Sequence, residues 1–398
     1  MGVESVTLSN FRNYSHAEAL FSPDCNALVG ENAQGKTNLL ESIVCLSGLK
    51  PPRVRADRDL ILFDADDAAI SAKIRARNRV FDVEIRLFRN GRRKMSVNGV
   101  SVKTTAALRD VFHTVLFRPE DLQLIREGPA ARRRFLDAAL CQIRPRYAAA
   151  LADYQDAWTR KSRILRDSDA YPGLLRTLPA FSEQMIRHGV TLIRYRARYV
   201  ERLSEYAAKH HLACSGGRET LSVEYRTVSA VTDPAAPPDA VEAQLRAHME
   251  AHERAEIAAK QCLSGPHKDD LYVRIDGRDA RAWSSQGQTR TAALALKLAE
   301  REILRNASGE YPVLLLDDVL SELDPVRQSY ILREIDGGQR FLTCCEEDRL
   351  PDNLPGQVYR VHAGSVSPRD GVLKDPDAAF RPDHTQTAPG PENAVSPP

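Results

Sequence analysis

Gly30-Glu31-Asn32-Ala33-Gln34-Gly35-Lys36-Thr37 fits the pattern G-x-x-x-x-G-K-[ST] at every fixed position. Its two glycines let the backbone turn tightly enough for successive N–H groups to converge on a phosphate. Residues 26–29 before it read as a short strand, and residues 37–49 after it carry apolar side chains at helical spacing. The positive end of that helix adds to the same anion site. Strand, glycine loop and helix in this order predict an α/β fold organised around the phosphates of a nucleotide. Gly30, Glu31, Asn32, Ala33, Gln34 and Gly35 form the expected cradle, with Lys36 reaching the β- and γ-phosphates and Thr37 offering its hydroxyl to Mg²⁺.

A second stretch supplies what the loop lacks. Val313-Leu314-Leu315-Leu316-Asp317-Asp318 is four apolar residues ending in two carboxylates, the pattern of a strand buried on both faces. Such a strand delivers Asp317 to the magnesium and leaves Asp318 where a carboxylate polarises the attacking water. The two stretches together predict ATP with Mg²⁺ as the ligand, with Lys36 and Asp318 as the catalytic pair. Ser284-Ser285-Gln286-Gly287-Gln288 precedes the strand and opens a helix. Ser285 and the backbone at Gly287 can hold a γ-phosphate at that helix N-terminus; the plainer reading is a serine cap. ABC-type ATPases place a signature, often LSGGQ, in the same order relative to the paired aspartates, and Ser285, Gly287 and Gln288 match it. Ser321-Glu322-Leu323-Asp324 falls where those ATPases keep their D-loop, which adds Asp324 to the expected nucleotide contacts.

Further segments resemble the RecF family of DNA-repair ATPases, which is related to SMC heads. Leu8-Ser9-Asn10-Phe11-Arg12-Asn13-Tyr14 resembles its opening strand. Phe117-Arg118-Pro119-Glu120-Asp121-Leu122 and Arg132-Arg133-Arg134-Phe135-Leu136-Asp137 resemble its central motifs, and Ser264-Gly265-Pro266-His267-Lys268-Asp269-Asp270-Leu271 its GPH segment. Gln286-Gly287-Gln288-Thr289-Arg290-Thr291 and Asp317-Asp318-Val319-Leu320-Ser321-Glu322-Leu323-Asp324 complete the set, and the resemblance spans residues 3–345. It implies an ABC-type ATPase head interrupted by a mainly helical arm. It implies a weak, DNA-stimulated ATPase that uses ATP mainly as a conformational switch and dimerises with ATP on DNA at single-strand gaps or junctions. It also implies RecR and RecO as partners in loading RecA, with roles in DNA replication, repair, recombination and the SOS response. In that family the signature of one subunit closes over the ATP of another. ABC relatives carry Glu where this chain has Asp318; the RecF pattern has Asp there, and the shorter side chain implies slow hydrolysis. The Q-loop glutamine has no clear match, with only Gln123 near Val115-Leu116-Phe117, and Thr343-Cys344-Cys345 stands where a switch histidine would be, so both roles stay open. Residues 50–58 match the family only loosely and offer Arg53 and Arg58 as weak candidates for nucleotide contact.

The rest of the chain sets the organisation. Residues 69–102 alternate in period two and carry Asn90-Gly91 and Asn98-Gly99, which predict a β-meander. Residues 1–128 therefore form the first part of the head, with the phosphate loop and this meander. From 129 to 262 the texture is helical: Tyr147, Leu151, Tyr154, Trp158, Lys161 and Leu165 recur at alternating four- and three-residue steps, as do Ile186, Val190, Ile193, Ala197, Val200, Ser204 and Ala207. These seams, broken by Pro and Gly at 171–179, predict a short antiparallel helical hairpin as the arm. Residues 263–366 return to the head with the signature, the paired aspartates and the D-loop. Residues 367–398, rich in Pro, Asp, Ala and Thr, are expected to be a disordered tail.

Composition bounds the partners. A net charge of +2 leaves room for a local nucleic-acid patch and none for a uniformly basic coat. Candidate phosphate-tracking rows are Arg75, Arg77 and Arg79 on one strand face, Arg92, Arg93 and Lys94, and Arg194 with Arg198 on one side of a helix. A solvated, acid-balanced surface reads each row as well. Seven cysteines without a CxxC pair fit a reducing cytoplasm, and neither a signal-peptide pattern nor a membrane-length apolar run is seen. A small-molecule kinase, a transporter motor subunit and a structural SMC-like linker remain alternatives; DNA stimulation of ATP turnover separates the repair reading from all three.

Overall fold

A computed structural model describes residues 1–227, 231–334, 337–346, 350 and 356–369. The chain opens with β1 (Gly2–Phe11) and β2 (Tyr14–Leu20), followed by β3 (Cys25–Val29), the glycine loop and α1 (Lys36–Leu46). β4 (Asp67–Ala76), β5 (Arg79–Phe88), β6 (Lys94–Val97) and β7 (Val100–Val102) then join β1 and β2 in an antiparallel sheet of order β2-β1-β4-β5-β6-β7. Burial alternates along β4, as a strand with one solvated face requires. Asn98 and Gly99 take φ of 51° and 76° and make the predicted two-residue turn. Asn90-Gly91 instead sits within the longer loop between β5 and β6. Arg77 and Asn78, with φ of 50° and 55°, turn the chain between β4 and β5. Arg75, Arg77 and Arg79 therefore do not share a strand face: one lies on β4, one in the turn and one on β5.

After α2 (Ala106–Val111) and β8 (Thr114–Phe117) the chain leaves the head through α3 (Pro129–Ile143). α4 (Pro145–Asp167) and α5 (Leu178–Cys214) pack as the antiparallel hairpin that the seams predict, burying Tyr147, Tyr154, Lys161 and Leu165 on one side and Ile186, Val190, Ile193 and Val200 on the other. β9 (Leu221–Arg226), α6 (Pro238–Ala259), β10 (Asp270–Ile275) and β11 (Arg278–Asp279) follow, and β9 pairs antiparallel with β10. Leu271, Val273 and Ile275 of β10 belong to the same apolar core as α4 and α5, so the arm's packing extends beyond residue 262. β10 lies between β9 and β11 in a separate three-stranded sheet, so its apolar face joins the arm's core and not the sheets of the head.

α7 (Ala280–Trp283) and α8 (Gln286–Ser308) lead back to the head, followed by β12 (Val313–Leu316), α9 (Pro325–Ser329), β13 (Arg340–Cys344), β14 (Gly356–His362) and β15 (Ser365–Pro368). β8, β12, β13, β3 and β14 lie parallel in that spatial order, with β15 antiparallel at the edge. Leu28, Val313, Leu315 and Phe341 face α1 and the antiparallel sheet. Ala27, Leu314, Leu316 and Leu342 face α8. A strand covered on both sides has no place for polar residues until its end, which is where Asp317 stands. Ser367 and Pro368, assigned to the tail by composition, are strand residues paired with Arg360 and Tyr359, because β14 offers its free backbone edge. The remainder of the expected tail, from residue 370 on, lies outside the described residues.

Candidate functional site

β3 aims the loop at the C-terminal edge of the parallel sheet, and α1 begins at Lys36 with Gly35 as its N-cap residue. Two glycines here are dictated by space. A Cβ at Gly30 would lie 2.2 Å from the Val361 carbonyl oxygen, and Gly35 has φ of 123°. Ala33 also turns through positive φ, at 64°. Lys36 is 7% exposed, and its ammonium donates to the Gly30 and Glu31 carbonyls at 2.5 and 2.8 Å. It folds across the cradle that its own loop forms.

The two distant motifs meet at this loop. Thr37 Oγ1 donates to Asp317 Oδ1 at 2.8 Å, and Thr343 Oγ1, from the neighbouring strand β13, donates to the same oxygen at 3.1 Å. Thr343 Oγ1 also accepts the Asp318 N–H at 2.8 Å, which fixes Asp318 at a φ of 54°. Burial raises the Asp317 pKa; the Thr37 and Thr343 hydroxyls and Arg53 oppose the shift, and Asp318 adds to it. The cleft has a volume of 480 Å³, and Arg12, Lys36, Thr37, Glu41, Arg53 and both aspartates are among its lining residues. Arg12 pairs with buried Glu41 at 2.8 Å, and Arg53 with Glu120 at 2.7 Å. A hydroxyl and a carboxylate side by side are hard oxygen donors, which fit Mg²⁺ completed by phosphates and water. No cluster of three or more His, Cys, Asp or Glu able to hold a metal by themselves occurs among the described residues.

The signature stands elsewhere. Ser285 caps α8: its Oγ accepts the Gln288 N–H at 3.2 Å while its own N–H donates to Gln288 Oε1 at 2.8 Å. Ser285 and Gly287 are exposed, and neither they nor Gln288 line the cleft. Asp324 caps α9, accepting from the N–H groups of Val326 and Arg327 at 3.1 Å. Arg327 bonds Thr291 at 2.6 Å and Arg290 bonds Glu322 at 2.9 Å, so the D-loop and the signature helix are tied together. The plain serine cap is thus present, and it leaves the start of α8 exposed and outside the cleft.

The basic rows divide. Arg75 pairs with Glu4 at 2.6 Å, Arg77 bonds the Asp110 carbonyl, Arg93 pairs with Asp57, and Arg194 donates to the Ala236 carbonyl at 2.8 Å. Arg79, Arg92, Lys94 and Arg198 are exposed, with Lys94 5.4 Å from the Phe88 ring centroid. Sequence reasoning missed Thr343, Arg12 and Glu41 in the cleft. Arg12 lay within a quoted motif, and Thr343 was noted only as part of the strand end that lacks a histidine. At the strand end without a histidine, Cys345 Sγ lies 3.1 Å from Asn32 Oδ1.

The family model described as "RecF/RecN/SMC N terminal domain" matches residues 2–353. "DNA replication and repair protein RecF" of Lachnoclostridium phytofermentans is 36% identical over 368 residues, covering 92% of this chain and 99% of that protein. The protein of the same name from Bacillus subtilis is 36% identical over 370 residues, covering 92% and 100%. A solved structure of "the recombination mediator protein RecF-ATP in RecFOR pathway" superposes with a TM-score of 0.83 at 33% identity, covering 92% of this chain and 97% of that one. An Smc head domain from Pyrococcus furiosus shares the fold at 16% identity, with a TM-score of 0.52 over 92% and 95% of the two chains. The architecture is that of an ABC-type ATPase head, and the chain belongs to the RecF family of DNA replication and repair proteins.

Proposed function

We propose that this chain binds ATP with Mg²⁺ in the cleft above Thr37, hydrolyses it slowly, and uses it to dimerise on DNA. The observation that carries the reading is the Thr37–Asp317 hydrogen bond at 2.8 Å, which joins the two halves of a phosphate site from opposite ends of the chain. Mg²⁺ would neutralise charge on the phosphates. Lys36 would leave the Gly30 and Glu31 carbonyls for the phosphate oxygens, Asp317 and Thr37 would hold the metal, and Asp318 would orient a water. Catalysis limited to one short carboxylate fits a switch better than a motor.

Ser285, Gly287, Gln288 and Asp324 are outside the chain's own cleft, which supports their serving the nucleotide of a second copy. Exposed Arg79, Arg92, Lys94 and Arg198 remain the candidate DNA contacts, and the paired arginines Arg75, Arg77, Arg93 and Arg194 are weaker ones. The RecFOR pathway of the solved relative supports RecR and RecO as partners, and we infer RecA loading at single-strand gaps or junctions as the outcome. That role places the protein in the cytoplasm. No described helix is long and apolar enough to cross a membrane.

The test is ATP-dependent binding to gapped and intact duplexes at fixed salt, comparing wild type with Lys36→Met and Ser285→Arg. Loss of the ATP-dependent part in both variants is expected. Binding indifferent to ATP in all three would refute the reading.

A further inference from the structure

The ring that Ser285 and Gln288 make at the start of α8 is held from outside. Gln288 Nε2 donates to Glu219 Oε1 at 3.1 Å. Glu219 belongs to none of the motifs and does not line the nucleotide cleft. It is nonetheless half-buried and held at its backbone. Its N–H donates to Ser215 Oγ at 3.2 Å, and the next residue, Thr220, donates twice to Asp276 Oδ1, at 2.9 and 3.0 Å. Its Oε2 lies 3.2 Å from Nε2 of His211, a wholly buried residue in the last turn of α5. Through the Glu219 carboxylate on Gln288 and the Glu219 N–H on Ser215, the cap residue of α5, the start of α8 is tied to the end of the arm's longest helix.

We propose that Glu219 is a positioning residue for the signature: it fixes the Gln288 amide, which fixes the Ser285 rotamer, so that the signature meets the phosphates of a second copy already formed. The proposal rests on Ser285 acting in trans. The physical ground is preorganisation. A free glutamine populates several rotamers, and those that break the ring with Ser285 must be excluded again on binding. Glu219 removes that cost beforehand, because one of its oxygens accepts from Gln288 while the other faces His211. The anchor also has a direction: Arg198 lies roughly 20 Å up α5 from His211 at 1.5 Å rise per residue, so the same rigid element carries an exposed arginine of the arm.

The experiment uses the full chain with a non-hydrolysable ATP analogue. Self-association is followed by sedimentation velocity, nucleotide affinity by a fluorescent analogue under dilute conditions, and integrity by thermal unfolding. Glu219→Ala is expected to weaken ATP-dependent self-association by about tenfold, the lower end of the value of one hydrogen bond to a charged acceptor. Its nucleotide affinity and unfolding midpoint should match wild type. Glu219→Gln keeps a carbonyl acceptor for Gln288 and should recover to within about twofold. Wild-type self-association in Glu219→Ala overturns the proposal, as does a loss that Glu219→Gln fails to rescue and that tracks a lowered midpoint. Ser285→Arg separates the two levels: if it abolishes self-association while Glu219→Ala does not, only the role of Glu219 falls; if it leaves self-association intact, the reading in trans falls with it.

Discussion

Thr343→Val is the substitution that asks most of the site. It keeps a β-branched side chain on β13 and removes one hydroxyl, and that hydroxyl does two things: it accepts the Asp318 N–H at 2.8 Å and donates to Asp317 Oδ1 at 3.1 Å. Without it, Asp318 loses the bond that steadies a left-handed backbone conformation. Asp317 loses one of the two hydroxyls that oppose the effect of burial, so its carboxyl rises further above the ordinary range. A hydrogen bond to a charged acceptor is worth about 1.5–3 kcal/mol, and the open cleft places this one near the lower end. About 1.5 kcal/mol corresponds to roughly tenfold in affinity for Mg·ATP.

The pH dependence carries the sign of the effect. A carboxyl with its folded pKa above the unfolded value holds its proton more tightly in the folded chain. The stability it contributes to the nucleotide-free protein is present at low pH and is lost as pH rises through the folded pKa. Metal binding runs the other way, because Mg²⁺ requires the carboxylate, so affinity rises through the same pKa. Titrating a fluorescent ATP analogue with Mg²⁺ from mildly acid to neutral pH should show the affinity of Thr343→Val lowered about tenfold and its acid limb moved to higher pH. Wild-type affinity with an unmoved limb would refute the assignment of Asp317 and Thr37 as a metal seat steadied by Thr343. A loss of affinity with an unmoved limb would leave Thr343 acting through Asp318 alone.

Two other substitutions separate site from scaffold. Gly30→Ala drives a Cβ to 2.2 Å from the Val361 carbonyl oxygen, a backbone atom held in β14; calorimetry should find nucleotide binding lost while the arm keeps its helical circular dichroism. Lys161→Met strands Glu256, which is 1% exposed and pairs with Lys161 at 2.6 Å. The expected cost is about 3–5 kcal/mol, or roughly 10 °C in the unfolding midpoint. Most of it should return in Lys161→Met with Glu256→Gln, because the Gln carbonyl can still accept the Leu263 and Ser264 N–H groups that Glu256 Oε1 accepts now.

What could be read from the sequence was what the chain writes contiguously. The phosphate loop is eight consecutive residues, and a strand covered on both faces must be apolar at every position, so Val313–Leu316 and the aspartate that follows announce themselves. The two seams are periodic and gave the hairpin of α4 and α5. Contacts made by residues with no pattern of their own were not legible. Thr343 is one threonine among many until β13 sets it beside Asp317. β10 reads as a strand, yet only its pairing with β9 shows that it completes the arm's core and not the head's sheet. Arg75, Arg77 and Arg79 share a parity that a turn at Arg77 and Asn78 destroys. Parity is a reliable guide only within one strand.

The motifs with no place in the cleft are explained by where they meet. Arg132 makes two bonds to the Asp270 carboxylate, at 2.7 and 2.8 Å, and Arg133 donates to the Asp269 carbonyl at 2.7 Å. Arg196 reaches Asp137 at 2.8 Å and the Pro266 carbonyl at 2.8 Å, and Tyr225 bonds the Asp269 carboxylate. His267, pushed down to about 4 by burial, stays a neutral ring with Nδ1 2.7 Å from the Tyr154 hydroxyl. Taking this many charges out of water is a poor way to gain stability, since apolar residues of similar volume pack as well or better. What the network does supply is orientation: a bidentate arginine or a paired carboxylate tolerates one relative placement of its partners, whereas apolar surfaces slide. These bonds join α3, α5 and β10, and the chain runs from β10 through α7 into Ser285 and α8. The segments around Arg132 and Asp270 therefore fix how the arm sits on the strand that leads to Ser285, apart from the loop and Asp317 of the proposed nucleotide site.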